Sequence, residues 1–240
     1  MITFLKTLVN GFLRVFNLQL SFYKKPIKRY SRIIDNFNID IIFDVGANDG
    51  EFGSIVLDEG FKGTMISFEP VSIAHEKLKL KAKNYKNWKV HQRAALGNET
   101  GTTTINIAGN NAASSSILEM GSTHIKSAPY SQYISSEEVN IIKLDSIFDD
   151  YVAPGNEVML KIDVQGYEEH VLLGASNILN KVRVIKLECS LKSLYDGDKT
   201  YDFYFDWLVD KGYRLFDVDP GHIDGNTGQL LQFDAIFVKD

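Results

Sequence analysis

The chain has 240 residues, of which 44% are hydrophobic and 24% are charged, and these are ordinary values for a globular protein. Its one cysteine, Cys189, excludes an intrachain disulfide and a cysteine-rich metal site. The first 32 residues carry seven Lys or Arg and no Asp or Glu, which leaves 19 basic against 31 acidic residues in the rest. Because the body is acidic, no nucleic-acid partner is expected.

The first predicted element is an amphipathic helix over residues 2–22, with apolar side chains at steps of three and four. Lys6 and Arg14 interrupt it, so a transmembrane span is not expected, and no signal-peptide cleavage site follows it. Two interpretations stay open. The helix packs on the domain or on a second subunit, as in a homodimer. Alternatively, residues 1–32 make a peripheral contact with anionic lipid at the inner face of the membrane. Either way, a cytoplasmic protein is expected.

After a short helix at 28–37, strands and helices alternate, and residues 39–240 are assigned to one domain following an N-terminal helical segment, 1–38. Repeated β–α units predict right-handed crossovers and a largely parallel, doubly wound sheet, which ends in an antiparallel hairpin. Strands are predicted at 41–45, 64–68, 88–92, 102–107, 139–143, 157–162, 182–188, 213–218 and 231–238. Helices are predicted at 50–59, 71–83, 144–151, 166–180 and 200–211.

Residues 109–136, called here the serine-rich segment, break this rhythm. They are rich in Ser, Asn, Ala and Gly, and they show little periodicity. A long irregular insertion in a compact domain is usually a functional lid or a flexible loop. We expect this segment to cover the acceptor site.

The strand at 41–45 leads into a turn with Gly46 and Gly50, where glycine allows positive φ and close approach of a ligand. The helix that begins near Gly50 would point its free N–H groups at that ligand. In such a sheet, ligands bind beyond the carboxyl ends of the strands. Glu69 ends the second strand, 23 residues after Gly46, where its carboxylate can accept hydrogen bonds from both ribose hydroxyls. The alternative is a solvated surface glutamate.

The turn lacks the G-x-G-x-x-G pattern of dinucleotide sites, and no G-x-x-x-x-G-K-[ST] occurs, so NAD and ATP are disfavoured. Asp44 and Asp49 would repel a phosphate. They suit a ligand that carries an ammonium and a sulfonium group, such as S-adenosylmethionine.

Five motifs, in this order, resemble the FkbM-type methyltransferases, which use S-adenosylmethionine. The resemblance covers about residues 40–190, and it implies a Rossmann-like class I methyltransferase fold with a mostly parallel seven-stranded sheet. The motifs are DVGANDG at 44–50, FEP at 68–70, AALG at 94–97, LD at 144–145 and KIDVQGYE at 161–168.

The resemblance also implies roles for single residues. The methionine part of the cofactor would lie against the turn after the first strand, Glu69 would hold the ribose, small residues would flank the adenine, and Asp163 would face the transferring methyl group. The turn residues are Gly46, Ala47, Asn48 and Gly50, with Asp44 nearby, and the adenine residues are Pro70, Ala94 and Ala95.

A hydroxyl acceptor needs a base, and Asp163 and Glu188, each at a strand end, are the candidates. Each could instead be a carboxylate satisfied by backbone N–H groups. His222 is an alternative base, whereas His124 could enter with the serine-rich segment. The same two carboxylates could contribute to a Mg²⁺ site, which is not favoured because no third ligand has a clear position, and no metal ligand is predicted.

The sequence therefore predicts a methyltransferase that acts on a hydroxyl of a sugar, a glycan or a natural product, with a small-molecule or glycan acceptor. Two alternatives are kept. One is an NAD-dependent oxidoreductase or epimerase, and the other is a non-catalytic nucleotide-binding domain.

Overall fold

The computed structural model describes residues 28–239. The predicted amphipathic helix at 2–22 lies outside the described residues, and so do the lipid or subunit contacts predicted for it. Within residues 28–239, no helix is both long and apolar enough to cross a membrane.

Six α-helices and ten β-strands make up the described residues, together with several single turns of 3₁₀-helix. The helices are α1 (Arg29–Asn36), α2 (Glu51–Asp58), α3 (Ser72–Ala82), α4 (Ser122–Ser127), α5 (Glu168–Gly174) and α6 (Tyr201–Asp210). The strands are β1 (Ile41–Val45), β2 (Thr64–Phe68), β3 (Trp88–Val90), β4 (Ala95–Leu96), β5 (Gly101–Ala108), β6 (Tyr133–Ile142), β7 (Val158–Ile162), β8 (Val182–Ser190), β9 (Arg214–Pro220) and β10 (Gln232–Val238).

Seven of the strands form one sheet in the order β3-β2-β1-β7-β8-β10-β9. All neighbours run parallel except β10, which is antiparallel to both β8 and β9. The mostly parallel seven-stranded sheet and its C-terminal antiparallel hairpin are therefore confirmed. The strand order reverses between β1 and β7, and this reversal marks the edge of the sheet where a ligand site is expected.

The sheet is covered on both faces, because its central strands are apolar on both sides. Phe43 of β1 packs into one core with side chains of α5 and α6. Its neighbour Ile42 points the other way, into a core with side chains of α1, α2 and α3. The alternation of side chains along a strand thus divides one apolar run between two cores.

A second sheet of three strands, β4-β6-β5, was not predicted as a separate unit. The predicted strand at 102–107 is a hairpin arm, β5, which pairs antiparallel with β6. Because β6 begins at Tyr133 and α4 spans 122–127, the expectation of an irregular segment throughout 109–136 was wrong. Residues of this second sheet, Ala95, Leu96 and Ile105, line the cleft described below.

Two predicted helices are shorter than expected. The helix predicted at 144–151 is two 3₁₀ turns, Leu144–Ser146 and Phe148–Asp150. The helix predicted at 166–180 is confined to Glu168–Gly174. It cannot begin earlier because Gly166 lies at φ +95°, and after it the backbone N–H of Asn177 is taken by the Asp145 carboxylate.

Candidate active site

A cleft of about 490 Å³ opens at the carboxyl ends of β1, β2 and β7. The turn after β1, the end of β2 and the serine-rich segment together form its walls. Most of the residues proposed from the sequence line this cleft, whereas Asp44, Gly50 and Glu188 do not. The lining residues among them are Gly46, Ala47, Asn48, Glu69, Pro70, Ala94, Ala95, Asp163 and His222.

The two glycines of the turn are explained by packing as much as by a ligand. Gly46 lies at φ +72°, and a Cβ there would collide with the backbone carbonyl of Asp163 at the end of β7. Gly50, at φ +86°, is the residue that caps α2, and a Cβ there would lie 2.7 Å from the Trp88 ring. The expectation that Gly50 contacts the ligand is therefore not supported, because it faces the core instead of the cleft.

Glu69 is held from both sides by the backbone. One of its oxygens, Oε2, accepts the N–H of Asn48 at 2.7 Å, and the other, Oε1, accepts the N–H of Val71 at 2.8 Å. The side chain is only 5% exposed, so the alternative of a solvated surface glutamate is wrong. Burial raises the pKa of Glu69 to about 7, although both N–H groups act in the opposite direction. Each oxygen keeps lone-pair capacity for a further donor.

Asp44 lies in the protein interior and not beside the cleft, where it was expected. It is fully buried, where its Oδ1 lies 3.1 Å from Lys161 Nζ and its Oδ2 accepts the Ser67 hydroxyl at 3.0 Å. An ammonium group within the protein thus already balances the charge of Asp44. The expectation that Asp44 lies near the methionine part of a ligand came from the family resemblance and from its charge, and the sequence did not reveal this internal partner.

Lys161 is the main site residue that the sequence interpretation missed. Its Nζ donates to the carbonyl of Gly46 at 2.9 Å and lies 3.5 Å from Asp163 Oδ2, in addition to its contact with Asp44. Burial lowers the pKa of Lys161, but the charges of Asp44 and Asp163 outweigh burial, and the net shift is upward. The sequence did contain a sign of this role, because Lys161 interrupts the apolar run at 158–162. A lysine in a buried strand needs partners for its ammonium group.

Asp163 is the carboxylate that reaches the cleft. Its side chain is 33% exposed, and its Oδ1 accepts the Gln165 amide at 2.9 Å. Burial opposes ionisation of Asp163, yet Lys161, Lys186 and that amide together lower its pKa. Asp163 is therefore ionised at neutral pH.

Glu188 lies behind Asp163, outside the lining. Its Oε2 accepts amide hydrogens from Gln165 at 2.7 Å and Gln232 at 2.8 Å. Burial, followed by the nearby charge of Asp163, raises the pKa of Glu188 well above its ordinary value. A carboxyl group that keeps its proton cannot accept another, so Glu188 suits a base less well than Asp163 does.

Two histidines face the cleft from opposite segments. His222 follows β9, and its Nε2 lies 3.0 Å from the Ser127 hydroxyl of the serine-rich segment. His124 of α4 stacks against it with ring centroids 6.0 Å apart. Burial and the neighbouring His222 lower the pKa of His124 to about 4, so that its ring is neutral at neutral pH.

The serine-rich segment folds as a wall of the cleft. Several of its side chains line the cavity, and they carry amide, hydroxyl, imidazole and phenol groups. These polar lining residues are Asn110, Ser114, Ser115, His124 and Tyr130. Within residues 28–239, no group of three or more His, Cys, Asp or Glu side chains is arranged to hold a metal ion. The expectation that Mg²⁺ is not favoured stays a prediction.

The mostly parallel seven-stranded sheet agrees with the class I methyltransferase fold that the motifs implied. The family model described as "Methyltransferase FkbM domain" matches residues 44–215, which is more than half of the chain. The chain therefore belongs to the FkbM methyltransferase family, as its motifs predicted.

Solved structures with a similar chain path are methyltransferases too. A magnesium protoporphyrin IX methyltransferase from Synechocystis, solved with bound S-adenosylmethionine, is 11% identical with a TM-score of 0.46, and the match covers 99% of this chain and 96% of that one. An rRNA methylase from Streptococcus thermophilus is 10% identical with a TM-score of 0.47, and the match covers 91% and 99%. Fibrillarin from Aeropyrum pernix is 13% identical with a TM-score of 0.47, and the match covers 83% and 66%. Among curated protein sequences, no significant match was found.

Replacing Lys161 with Met should destabilise the protein by about 3–5 kcal/mol, because Asp44 would be left as a buried charge without its partner. Denaturant unfolding followed by circular dichroism measures this change. The matched control is Lys181→Met, which removes an exposed ion pair with Asp149 and should cost at most about 1 kcal/mol.

Adding Asp44→Asn to Lys161→Met should recover part of the lost stability, since the uncompensated charge is then gone. Equal unfolding midpoints for Lys161→Met and Lys181→Met would contradict the assignment of Lys161 as the buried partner of both carboxylates.

Proposed function

We propose that the chain binds S-adenosylmethionine in this cleft and transfers the methyl group to a hydroxyl of a sugar, a glycan or a natural product. The observation that carries the proposal is Glu69, which lines the cleft at the end of β2 with both oxygens held by backbone N–H groups. A carboxylate fixed in this way is ready to accept two further hydrogen bonds from neighbouring hydroxyls, as in a ribose.

The remaining lining residues suit such a ligand. The turn at 46–48 brings backbone to the cleft wall, with Asn48 at φ +48°, a strained conformation that is often found at binding sites. Ala94 and Ala95 are small and leave room for a flat ring beside Pro70. These residues would hold the cofactor, which supplies an activated methyl group.

Asp163 is the group proposed to receive the proton of the acceptor hydroxyl. It lines the cleft, it is partly exposed, and two lysines keep it ionised. A carboxylate of low pKa can serve here because the hydroxyl becomes acidic as its oxygen gains the new bond. His222 is the alternative acceptor of the proton, since it faces the same cleft.

The acceptor class is proposed from the serine-rich wall. Its amide, hydroxyl and imidazole groups can donate and accept hydrogen bonds without net charge, which suits a neutral acceptor with several hydroxyl groups. A small molecule or a glycan fits this wall, and the acidic body does not favour a nucleic acid. The rival NAD enzyme loses support because the chain belongs to a methyltransferase family.

Isothermal titration should detect S-adenosylhomocysteine binding and no NAD binding. Glu69→Ala should weaken S-adenosylhomocysteine binding by about 1–3 kcal/mol, because hydrogen bonds to a charged group are lost. The control is Glu76→Ala, an exposed glutamate on α3 that should bind as the wild type does. A folded wild-type protein that binds no S-adenosylhomocysteine would refute the proposed function.

The affinity for S-adenosylhomocysteine should depend on pH. The pKa of Glu69 is raised to about 7, and the ionised carboxylate is the form that accepts both hydroxyls. Binding should therefore weaken by up to about tenfold for each pH unit below 7 and level off above it. Titrations from about pH 5 to pH 8 measure this, and Glu69→Gln should abolish the dependence. A flat wild-type profile would remove Glu69 from the ribose role.

Methyl transfer itself is tested by mass spectrometry, with isotope-labelled S-adenosylmethionine and a panel of sugars, glycans and hydroxylated metabolites. The expected result is a labelled methyl group on an acceptor oxygen. Asp163→Asn should keep its affinity for S-adenosylhomocysteine and lose turnover by about 100-fold or more, since proton removal contributes about that much. Full turnover in this variant would exclude Asp163 as the base.

A further inference from the structure

The side chain of Gln165 lies between the two carboxyl groups of the site. Its Nε2 donates to Asp163 Oδ1 at 2.9 Å and to Glu188 Oε2 at 2.7 Å. An amide nitrogen carries two hydrogens, so both are used by these contacts. The amide thus joins the carboxylate that reaches the cleft to the carboxyl group behind it.

The direction of this amide is set by Tyr195. The Tyr195 hydroxyl is 2.8 Å from Gln165 Oε1, and the tyrosine is fully buried. Burial raises the pKa of Tyr195 well above its ordinary value, so the hydroxyl keeps its proton and can donate it. A Gln165 amide turned end for end would place its oxygen against the ionised Asp163 carboxylate, which has no hydrogen to donate. The amide therefore has one stable orientation.

The backbone of Gln165 is held as firmly as its side chain. It lies at φ +58°, a conformation that a residue with a side chain adopts only at a cost. The Ser116 hydroxyl donates to the Gln165 carbonyl at 2.7 Å, and the Tyr195 hydroxyl also lies 3.3 Å from the carbonyl of Ser114. Both serines belong to the serine-rich segment, so this segment braces Gln165 from the side of the cleft.

We propose that Gln165 is a positioning residue for the proton acceptor, whose amide, braced by Tyr195 and the serine-rich segment, directs the Asp163 carboxylate into the cleft. This inference rests on the function proposed above, in which Asp163 receives the proton. Through this bridge, the segment that lines the acceptor end also contributes to the direction of the Asp163 carboxylate, which the two lysines keep ionised. Gln165 itself transfers no proton, because an amide is neither an acid nor a base at neutral pH.

The test is an NMR titration of the Asp163 carboxyl carbon in the full-length chain labelled with ¹³C-aspartate, and Asp163→Asn identifies the signal. In Gln165→Leu, the titration midpoint of Asp163 should rise by about one pH unit, because the donor that favours the ionised form is gone. Tyr195→Phe should move it in the same direction by less, since the amide then loses its fixed orientation. The matched control is Gln229→Leu, which removes an amide that contacts exposed Lys192 and should leave the midpoint unchanged.

An unchanged Asp163 midpoint in Gln165→Leu would overturn the proposal. If Gln165→Leu does not fold, Tyr195→Phe replaces it as the test. An unchanged Asp163 midpoint in Tyr195→Phe would then overturn the proposal. Once an acceptor is known, Gln165→Leu should lower kcat and move the acid limb of the pH–rate profile upward while S-adenosylhomocysteine affinity stays as in the wild type. Failure of the proposed function can be told apart from failure of this positioning role. In that case the wild type would bind no S-adenosylhomocysteine, while the Asp163 midpoint would still rise in Gln165→Leu.

Discussion

The buried ammonium group of Lys161 is the interaction on which the rest of the site depends. It lies at the end of β7, beside the end of β1, where the order of the strands reverses. Burying a lysine costs several kcal/mol unless the charge is paired and its hydrogens are used. Here Asp44, Asp163 and the carbonyl of Gly46 together meet that requirement. The strand ends are thereby held in the one arrangement that also forms the cleft.

This ammonium separates the roles of the carboxyl groups around it. Asp44 is neutralised inside the protein, and Asp163 is kept ionised at the cleft, because Lys161 lies close to both. Burial and the nearby charge of Asp163 make Glu188 hold its proton more strongly. Glu69 lies on the far side of the turn, where its pKa is raised to about 7. Acidic residues that look alike in the sequence thus carry different charges in the fold.

The sequence predicted the main sheet well because the signals there are local. Strands such as 41–45 and 64–68 are apolar runs that end at turn residues, and both match the structure residue for residue. A residue that follows such a strand must lie at the same sheet edge as the others, so Glu69 and Asp163 could be placed together without coordinates.

The errors share one physical cause, which is that they depend on contacts between distant parts of the chain. Asp44 was placed near the ligand by its charge and by the family resemblance, because nothing in its neighbourhood shows that a lysine 117 positions later meets it. Gly50 was assigned to a ligand, because the Trp88 ring that it packs against comes from another strand. The serine-rich segment shows little periodicity, since part of its order comes from hydrogen bonds with Gln165 and Tyr195 rather than from a regular apolar face.

These long-range contacts also divide the cleft into two halves of different construction. The half around Glu69 is made by the ends of sheet strands, and its shape follows from the sheet itself. The other part is made by the serine-rich segment, in which the Ser116 hydroxyl contacts the Gln165 carbonyl and the Ser114 carbonyl lies near the Tyr195 hydroxyl, whereas lining side chains outside these contacts can vary. A new acceptor could therefore be accommodated by changing lining side chains such as Tyr130 while the bridge to Asp163 is kept. Substitutions that break this bridge would alter Asp163, the proposed proton acceptor, along with the proposed acceptor pocket.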